Sequence, residues 1–299
     1  MITAGLRPEC LDRDQGRGRR APLSVPGPIA AKSMNFWPRR FACAMAAGIL
    51  FAAFSGSVHP AAAQNCAAAP DLARFDLPLP HVAERVALGE PVKIVAIGSS
   101  STSGAGASSI AANYPSRLEV ELKTRLPRLS IQVLNRGVGG EEVPQMLARF
   151  GEAVLAEKPD LVIWQVGTNS VLRDHDIRKV AEDIRDGVAQ LKAIGADVIL
   201  MDLQFAPRVI EKADAESMVG LIAAAAKRGN VDLFRRFAVM REWSQARHIS
   251  FQQSVAPDGL HMNDWSYGCL AKLLANAITD AATRVPQTAG ISSAPTTHR

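Results

Sequence analysis

The sequence lacks the glycine-rich loops with which many proteins bind nucleotide phosphates. Gly104 and Gly106 are without the third glycine of a dinucleotide-binding fingerprint, and no Gly-Lys-Ser/Thr sequence occurs in the chain. No internal repeat is visible either. These absences argue against a phosphate-binding loop and against a repeat architecture.

Most of the chain also lacks an excess of positive charge. The formal net charge is +5, but eight of the 34 Lys and Arg residues and only three of the 29 acidic residues precede Gln64. The remainder is formally neutral, so the basicity belongs to the N-terminal extension. The charge therefore gives no support for nucleic-acid binding by the rest of the chain.

The N-terminal extension has the pattern of an export signal. Arg39 and Arg40 precede an uncharged, largely apolar run over residues 41–58, and the small residues 61–63 offer a cleavage site. We predict a signal peptide over residues 34–63 and a periplasmic or secreted product without a stable membrane anchor. The run is near the lower length limit for a membrane span, so a retained anchor is the alternative. Residues 1–33, rich in Arg, Pro and Gly, are interpreted as an upstream extension before a true start at Met34.

Cysteine is scarce, with four residues in the chain. Cys10 and Cys43 precede the predicted cleavage site, which leaves Cys66 and Cys269 in an oxidising compartment. These two could form a disulfide that closes a long loop, and the alternative is two unrelated thiols.

After residue 64 the chain alternates between short apolar runs and amphipathic segments. A Pro- and Ala-rich surface lead-in is expected over 64–90, one domain over 91–284 and a disordered tail over 285–299. Strands are predicted at 92–97, 131–134, 161–164, 198–201 and 231–234, with helices between them. This alternation indicates an α/β fold, a three-layer α/β/α sandwich around a mostly parallel five-stranded sheet.

Small and amide residues follow three of the predicted strands. Gly98-Ser99-Ser100 follows the first, Gly139-Gly140 the second and Gly167-Thr168-Asn169 the third. Because parallel strands end on the same side of a sheet, these loops can converge at the edge where open α/β folds bind ligands.

Asp258 and His261 lie three residues apart in a predicted turn before the last helix. The carboxylate can fix the tautomer of the imidazole, whose other nitrogen can take a proton from a serine such as Ser100. The N–H groups of Ser100 and Gly140, with the side-chain amide of Asn169, could then stabilise the developing oxyanion.

These four blocks, taken in order, resemble those of the SGNH or GDSL-like serine hydrolases over roughly residues 92–282. The resemblance implies a flavodoxin-like SGNH hydrolase fold and a triad of Ser100, His261 and Asp258. It also implies an oxyanion hole formed by Ser100, Gly140 and Asn169, with no cofactor and no metal.

Two positions depart from that family's pattern. Ser99 stands where an acid usually precedes the nucleophile, and Ser170 stands where an acid often follows the oxyanion asparagine. Both changes remove a polar orienting group. Ser99 also leaves open a register in which Ser99 or Ser101 is the nucleophile, although the spacing to Thr102 and Gly104 favours Ser100.

Several other residues have competing interpretations. The run 174–176 could bind a metal but is better explained as a polar helix start. His81 and His248 are expected to be non-catalytic. Trp164 is assigned to the core, and Trp265 either to helix packing or to a wall of an acyl pocket. Residues expected near substrate after the fourth strand are Gln204, Phe205 and Arg208.

The resemblance and the predicted export suggest an esterase acting on short-chain O-acyl groups, above all O-acetyl groups of cell-envelope or other polysaccharides. A lipid or aryl esterase, resembling a lysophospholipase, is the alternative within the same class. Acyl transfer to a sugar also remains open. A non-catalytic glycan-binding or assembly protein would explain the same fold without chemistry.

Overall fold

The computed structural model describes residues 66–284, which form a five-stranded parallel sheet with helices on its faces. The strands are β1 (Val92–Gly98), β2 (Ile131–Gly137), β3 (Leu161–Gln165), β4 (Asp197–Met201) and β5 (Asp232–Phe234). Their order is β2-β1-β3-β4-β5, and every neighbouring pair is parallel. The predicted fold class and all five predicted strands are confirmed.

The core lies on both faces of the three central strands. Every residue of β3 and β4 is buried, and β1 is buried except at Lys93. Such continuous apolar strands are expected where helices cover both faces of a parallel sheet. Trp164, which is fully buried in β3, packs edge-on against Phe150 and confirms its assignment to the core.

The helices alternate with the strands along the chain. They are α1 (Pro80–Leu88), α2 (Ser100–Ser103), α3 (Tyr114–Arg125), α4 (Val143–Ala148), α5 (Phe150–Ala153), α6 (Thr168–Leu172), α7 (Ile177–Ala193), α8 (Pro207–Ile210), α9 (Ala215–Gly229), α10 (Arg236–Gln245), α11 (Phe251–Ser254) and α12 (Asp264–Thr283). Short 3₁₀ helices lie at Pro70–Leu72, Ile110–Ala112 and Leu155–Glu157. The longest helix, α12, has a nearly continuous buried stripe and packs against α3 and α1.

The lead-in is more structured than the sequence suggests. Its composition predicts an extended segment over residues 64–90, but the structure places α1 there. The helix begins at Pro80 and ends before Gly89, which has a left-handed conformation (φ 68°). Val82 is buried, and its N–H donates to Asp197 Oδ2 at 2.9 Å. The segment therefore packs on the N-terminal edge of the sheet as part of the fold. The expectation of an extended lead-in was wrong because the contacts that hold α1 are more than a hundred residues away in the chain.

A disulfide joins the beginning of the described chain to its last helix. Cys66 and Cys269 are bonded across 203 residues, with their Cα atoms 4.9 Å apart, as the pairing hypothesis predicts. Closing a loop of that length restricts the unfolded chain by up to about 5 kcal/mol on a loop-entropy argument. The bond thus secures the lead-in to the buried face of α12.

Residues 1–65 and 285–299, which include the predicted upstream extension, signal peptide and tail, lie outside the described residues. No helix within the described range is long and apolar enough to cross a membrane.

A buried polar cluster lies beyond the end of β4. Asp202 and Arg236 are almost completely buried, and the Arg236 guanidinium donates to the backbone carbonyl of Asp202 at 2.7 and 3.0 Å. The Asp202 carboxylate accepts the N–H of Phe237 at 2.9 Å. Burial raises the pKa of Asp202 to about 7, although Phe237 and Arg236 oppose that rise.

We expect this carboxyl to make stability decrease as the pH rises. The unfolded carboxyl loses its proton near its usual pKa of about 4, whereas the folded one keeps it until about 7, so the contribution of this group to the free energy of unfolding falls across that window and then levels off. The full loss is about 4 kcal/mol, since one pKa unit corresponds to about 1.4 kcal/mol.

Asp202→Asn should reduce that dependence, because asparagine keeps the acceptor for Phe237 and never ionises. The slope that remains includes that of Asp232, whose pKa burial raises to about 6. Chemical denaturation at pH values between about 4 and 8 would measure the slope. Asp186→Asn, at an exposed position of α7, is the matched control and should keep the wild-type slope. An unchanged slope in Asp202→Asn would contradict the assignment.

Candidate active site

Ser100 begins α2, directly after the end of β1. Gly98 is the last residue of the strand, and a Cβ built there would lie 2.3 Å from Thr102 Oγ1, so only glycine allows this tight passage from strand to helix. The turn presents the Ser100 side chain at the C-terminal edge of the sheet. Ser99 and Ser101 are both buried, and the Ser99 hydroxyl donates to Gln165 Oε1 at 3.0 Å.

Ser100, His261 and Asp258 form a continuous hydrogen-bonded chain. His261 Nε2 lies 2.8 Å from Ser100 Oγ, and His261 Nδ1 lies 2.5 Å from Asp258 Oδ2. Of the three consecutive serines, Ser100 is therefore the one that the structure brings to the histidine. A carboxylate, an imidazole and a hydroxyl in this order can activate the hydroxyl oxygen as a nucleophile.

The turn that carries this pair is held by its own backbone. Asp258 Oδ1 accepts the N–H groups of Leu260 and His261 at 2.9 and 3.0 Å, and Gly259 has the positive φ of 68° that the turn requires. Burial raises the pKa of Asp258. The hydrogen bonds from the His261 side chain and from these two N–H groups outweigh that effect and lower the pKa to about 2. The carboxylate is therefore ionised over the range in which most enzymes work.

The predicted oxyanion donors lie on neighbouring loops. The strand order places the end of β1 between those of β2 and β3, so Ser100 lies between the loops that carry Gly140 and Asn169. Asn169 Nδ2 donates to the carbonyl of Glu141 at 2.8 Å, which joins the β2 loop (residues 138–142) directly to the β3 loop (residues 166–175, which includes α6). Gly140 has a φ of 80°, a backbone conformation that favours glycine.

Asn135 fastens the nucleophile turn to β2. Its side chain donates to the carbonyl of Thr102 at 2.8 Å and accepts the N–H of Gly137 at 2.9 Å. Gly137 lies so close to this turn that a Cβ there would be 2.1 Å from the N atom of Ser103. The block that starts at Asn135 thus contributes structure as well as a candidate donor.

Two of the three residues expected near substrate after β4 are instead buried. Gln204 accepts from Thr168 Oγ1 at 3.1 Å and from Arg236 Nη2 at 2.8 Å, and Phe205 packs edge-on against Phe237. Arg208 is exposed, and its backbone N–H donates to Gly259 in the Asp258–His261 turn. Of the three residues, Arg208 is the one exposed beside that turn.

The residues with competing interpretations have ordinary structural surroundings. Asp176 caps α7 by accepting the N–H of Arg178 at 2.9 Å, as the polar helix start predicts. His175 contacts Glu142, and Asp174 pairs with Lys212. Two further histidines lie apart from the triad: His248 is exposed, and His81 packs near Gly195 at the opposite edge of the sheet. Trp265 packs edge-on against Trp243 and supports the helix-packing interpretation.

A groove of about 420 Å³ lies beside the turn that carries Asp258 and His261. Gly106 forms part of it and approaches so closely that a Cβ there would lie 2.9 Å from His261 Cβ. The apolar lining consists of Pro207, Phe251, Val255, Ala256 and Pro257. A second cavity, of about 310 Å³, lies at the opposite edge of the sheet beside α1 and is remote from this chemistry.

Sequence reasoning missed Glu142, Arg173 and Arg236 at or behind this site. Glu142 accepts hydrogen bonds from Arg173 and His175, whose positions in the chain are more than 30 residues away. Nothing in the spacing of charged residues distinguished these three from a solvated surface. The convergence of the segments after β2 and β3 reveals the contacts of Glu142 and Arg173, and the packing of α10 against the segment after β4 reveals those of Arg236.

The architecture and the arrangement of the site define the SGNH hydrolase fold. A structural comparison gives a TM-score of 0.61 with a two-domain esterase active on acetylated mannans, at 23% identity, covering 75% of this chain and 59% of the other. A mutant of the acetyl-xylooligosaccharide esterase Axe2 from Geobacillus gives a TM-score of 0.55 at 23% identity, covering 64% of this chain and 95% of the other. At these identities the likeness establishes the fold alone.

Residues 65–284 match the non-GDSL lipase-like family, and the chain belongs to that family. Among curated proteins, it is 33% identical over 90 residues to an acetylxylan esterase of Geobacillus stearothermophilus, covering 27% of this chain and 41% of the relative. It is 25% identical over 105 residues to an arylesterase of Vibrio mimicus, covering 33% of this chain and 52% of the relative. The chain therefore spans about half the length of the curated relatives it matches.

Proposed function

We propose that this protein is an exported serine esterase that hydrolyses short-chain O-acyl esters. The observation that carries the proposal is the chain of contacts from Asp258 through His261 to the Ser100 hydroxyl. Family membership and the esterases among the relatives support the same reaction class.

The reaction proceeds in two halves. Ser100 Oγ attacks the ester carbonyl while its proton passes to His261 Nε2, and the carbonyl π electrons move onto the oxygen. The N–H groups of Ser100 and Gly140 and the amide of Asn169 stabilise this oxyanion. The intermediate collapses, the bond to the alcohol breaks, and His261 gives its proton to the departing alkoxide oxygen.

The second half returns the free enzyme. Water gives a proton to His261 Nε2 and attacks the acyl-Ser100 carbonyl, and collapse of the second oxyanion releases the carboxylic acid. Ser100 Oγ takes back the proton from His261. Asp258 keeps Nδ1 protonated throughout and stabilises the positive charge on the imidazole. These steps need no group beyond the chain's own residues and water.

Acetyl groups on polysaccharides are the proposed substrate class. The acetylxylan esterase and the mannan-active esterase among the relatives act on acetylated glycans by their descriptions. The predicted signal peptide over residues 34–63 would deliver the protein to the compartment where such glycans occur.

An aryl or lipid ester is the second candidate, favoured by the apolar lining of the groove beside His261. A binding protein without chemistry is disfavoured because Ser100, His261 and Asp258 are all present and in hydrogen-bond contact.

Comparing p-nitrophenyl acetate with p-nitrophenyl octanoate tests this proposal. For the chain that begins at Gln64, we expect a higher kcat/KM for acetate. A preference for octanoate would favour the lipid candidate over the acetylated glycans. If neither ester is hydrolysed and a fluorophosphonate does not label Ser100, the esterase proposal is wrong.

A further inference from the structure

The β3 loop of this chain has a buried hydroxyl, Ser170, at the position where related proteins often carry an acid. Ser170 is 1% exposed, and its hydroxyl donates to Glu142 Oε2 at 2.9 Å. The carboxylate missing from the β3 loop is thus supplied by Glu142 of the β2 loop. The same loop carries Gly140, the proposed oxyanion donor. This exchange suggests a positioning role for Glu142.

Glu142 is buried and receives three side-chain donors. Besides Ser170, Arg173 donates from Nη1 at 2.5 Å and His175 Nδ1 lies 2.8 Å away. Burial raises the pKa of Glu142, but the hydrogen bonds from Arg173, Ser170 and His175 outweigh that effect and lower it. The ionised carboxylate therefore holds the guanidinium through a charge-assisted hydrogen bond, which is stronger and more directional than a neutral one.

The same guanidinium reaches the oxyanion loop. Arg173 Nη2 donates to the carbonyl of Gly140 at 3.0 Å, while Asn169 donates to the next carbonyl, that of Glu141, at 2.8 Å. Two successive carbonyls are thereby fixed from the β3 side.

The loop is tied back at its ends, where the Val138 N–H donates to the Gly98 carbonyl at 3.0 Å and Arg149 pairs with Glu141 at 2.6 Å, but the glycine pair between these points is open to solvent. Gly139 and Gly140 are exposed, and a Cβ built at Gly139 would find no atom within 4 Å. A glycine pair can adopt many backbone conformations. The Gly140 N–H lies in the peptide plane before Gly140, and the carbonyl that Arg173 holds lies in the plane after it. Anchoring the second plane fixes the Cα between them and so restricts rotation of the first plane, which would turn the N–H away from the oxyanion. A donor helps catalysis only if it points to the place where charge develops.

We propose that Glu142 and Arg173 form a positioning pair that orients the Gly140 N–H for oxyanion stabilisation. Arg173 acts through Gly140, and Glu142 acts through Arg173. This inference rests on the proposed esterase function and concerns the transition state more than substrate binding. It therefore predicts a change in kcat with little change in KM.

Arg173→Ala in the full chain should lower kcat for p-nitrophenyl acetate by about tenfold. Loss of an entire oxyanion donor costs about 10²- to 10³-fold, whereas here the Gly140 N–H remains and loses only its fixed orientation. KM should stay within about twofold. Added guanidinium ion at millimolar concentration should restore part of kcat, because it can occupy the space between Glu142 and the Gly140 carbonyl. A residue that served only the fold would show no such rescue.

Arg178→Ala is the matched control, because Arg178 is an exposed arginine at the start of α7 outside this cluster. It should retain the wild-type kcat, and added guanidinium should leave it unchanged. Glu142→Gln should show a smaller loss of kcat than Arg173→Ala, because the amide keeps an acceptor but loses the charge. If Arg173→Ala is unstable, Arg173→Lys provides the same comparison with a charged side chain that reaches one partner rather than two.

The outcomes separate this inference from the esterase proposal. An active wild type with an equally fast Arg173→Ala would overturn the positioning pair and leave the esterase intact. A loss of kcat without guanidinium rescue, accompanied by a lower melting temperature, would assign Arg173 to the fold and also overturn it. A wild type that neither hydrolyses esters nor reacts with a fluorophosphonate would overturn both.

Discussion

Ser100→Ala is expected to lower kcat for ester hydrolysis by about 10⁴- to 10⁶-fold, the range found when a triad nucleophile is removed. Ser100 Oγ is the oxygen that lies 2.8 Å from His261 Nε2, so the variant removes the bond-forming atom while leaving the fold untouched. The melting temperature should stay close to that of the wild type. The rate of p-nitrophenol release, with thermal unfolding measured alongside, checks both expectations.

The neighbouring serines provide the matched controls. Ser99 and Ser101 are as small and as polar as Ser100, but both are buried, and the Ser99 hydroxyl is directed to Gln165. Ser99→Ala and Ser101→Ala should each retain activity to within about tenfold, with any loss reflecting repacking. Near-complete loss in either variant, with Ser100→Ala still active, would show that the nucleophile lies in another register.

Asp258→Asn is expected to lower kcat by about 10⁴-fold, the size reported for the equivalent change in a serine protease triad. The asparagine carbonyl can take the place of Oδ1 and keep the N–H groups of Leu260 and His261, so the turn should persist. Its amide nitrogen would then face His261 Nδ1 and favour the tautomer with the proton on Nε2. His261 Nε2 could then no longer accept the proton of Ser100.

The pH profile provides a second readout for this variant. In the wild type the pKa of Asp258 is lowered to about 2, so the carboxylate should not limit the rate at any pH above about 3. Asp258→Asn should remain slow across that whole range, and raising the pH should not restore wild-type activity. Asp264→Asn is the control, since Asp264 is close in the chain but its carboxylate accepts from Ser108 rather than from the histidine. If Asp258→Asn retained most of its activity, His261 would not depend on this carboxylate.

The sequence predicts the sheet well because the sheet depends on local composition. Continuous apolar runs such as residues 92–97 are typical of strands buried on both faces of a parallel sheet, and each run ends at a glycine or polar residue that marks the edge. The candidate triad follows from spacing in the same way, since Asp258 and His261 share one turn. Their contact with Ser100, 161 residues away, required the order of strands implied by the family resemblance.

Non-local contacts limited the remaining predictions. A Pro- and Ala-rich composition predicts an extended lead-in, because the local sequence does not show that Asp197 and Asp232 will accept its backbone N–H groups. Arg236 is charged and would ordinarily be placed on the surface, yet it is completely buried behind the site. The sequence shows that Ser170 replaces an acid, but the contact of its hydroxyl with Glu142 becomes visible only when the β2 and β3 loops meet.

Trapping the acyl-enzyme tests the central claim most directly. The protein would be mixed with p-nitrophenyl acetate, quenched in acid within the first turnovers, digested and sequenced by mass spectrometry. We predict an acetyl group on Ser100, absent from Ser100→Ala and from unreacted protein. An acetyl group on Ser99 or Ser101, or hydrolysis with no modified serine in the segment 99–101, would contradict the proposed mechanism.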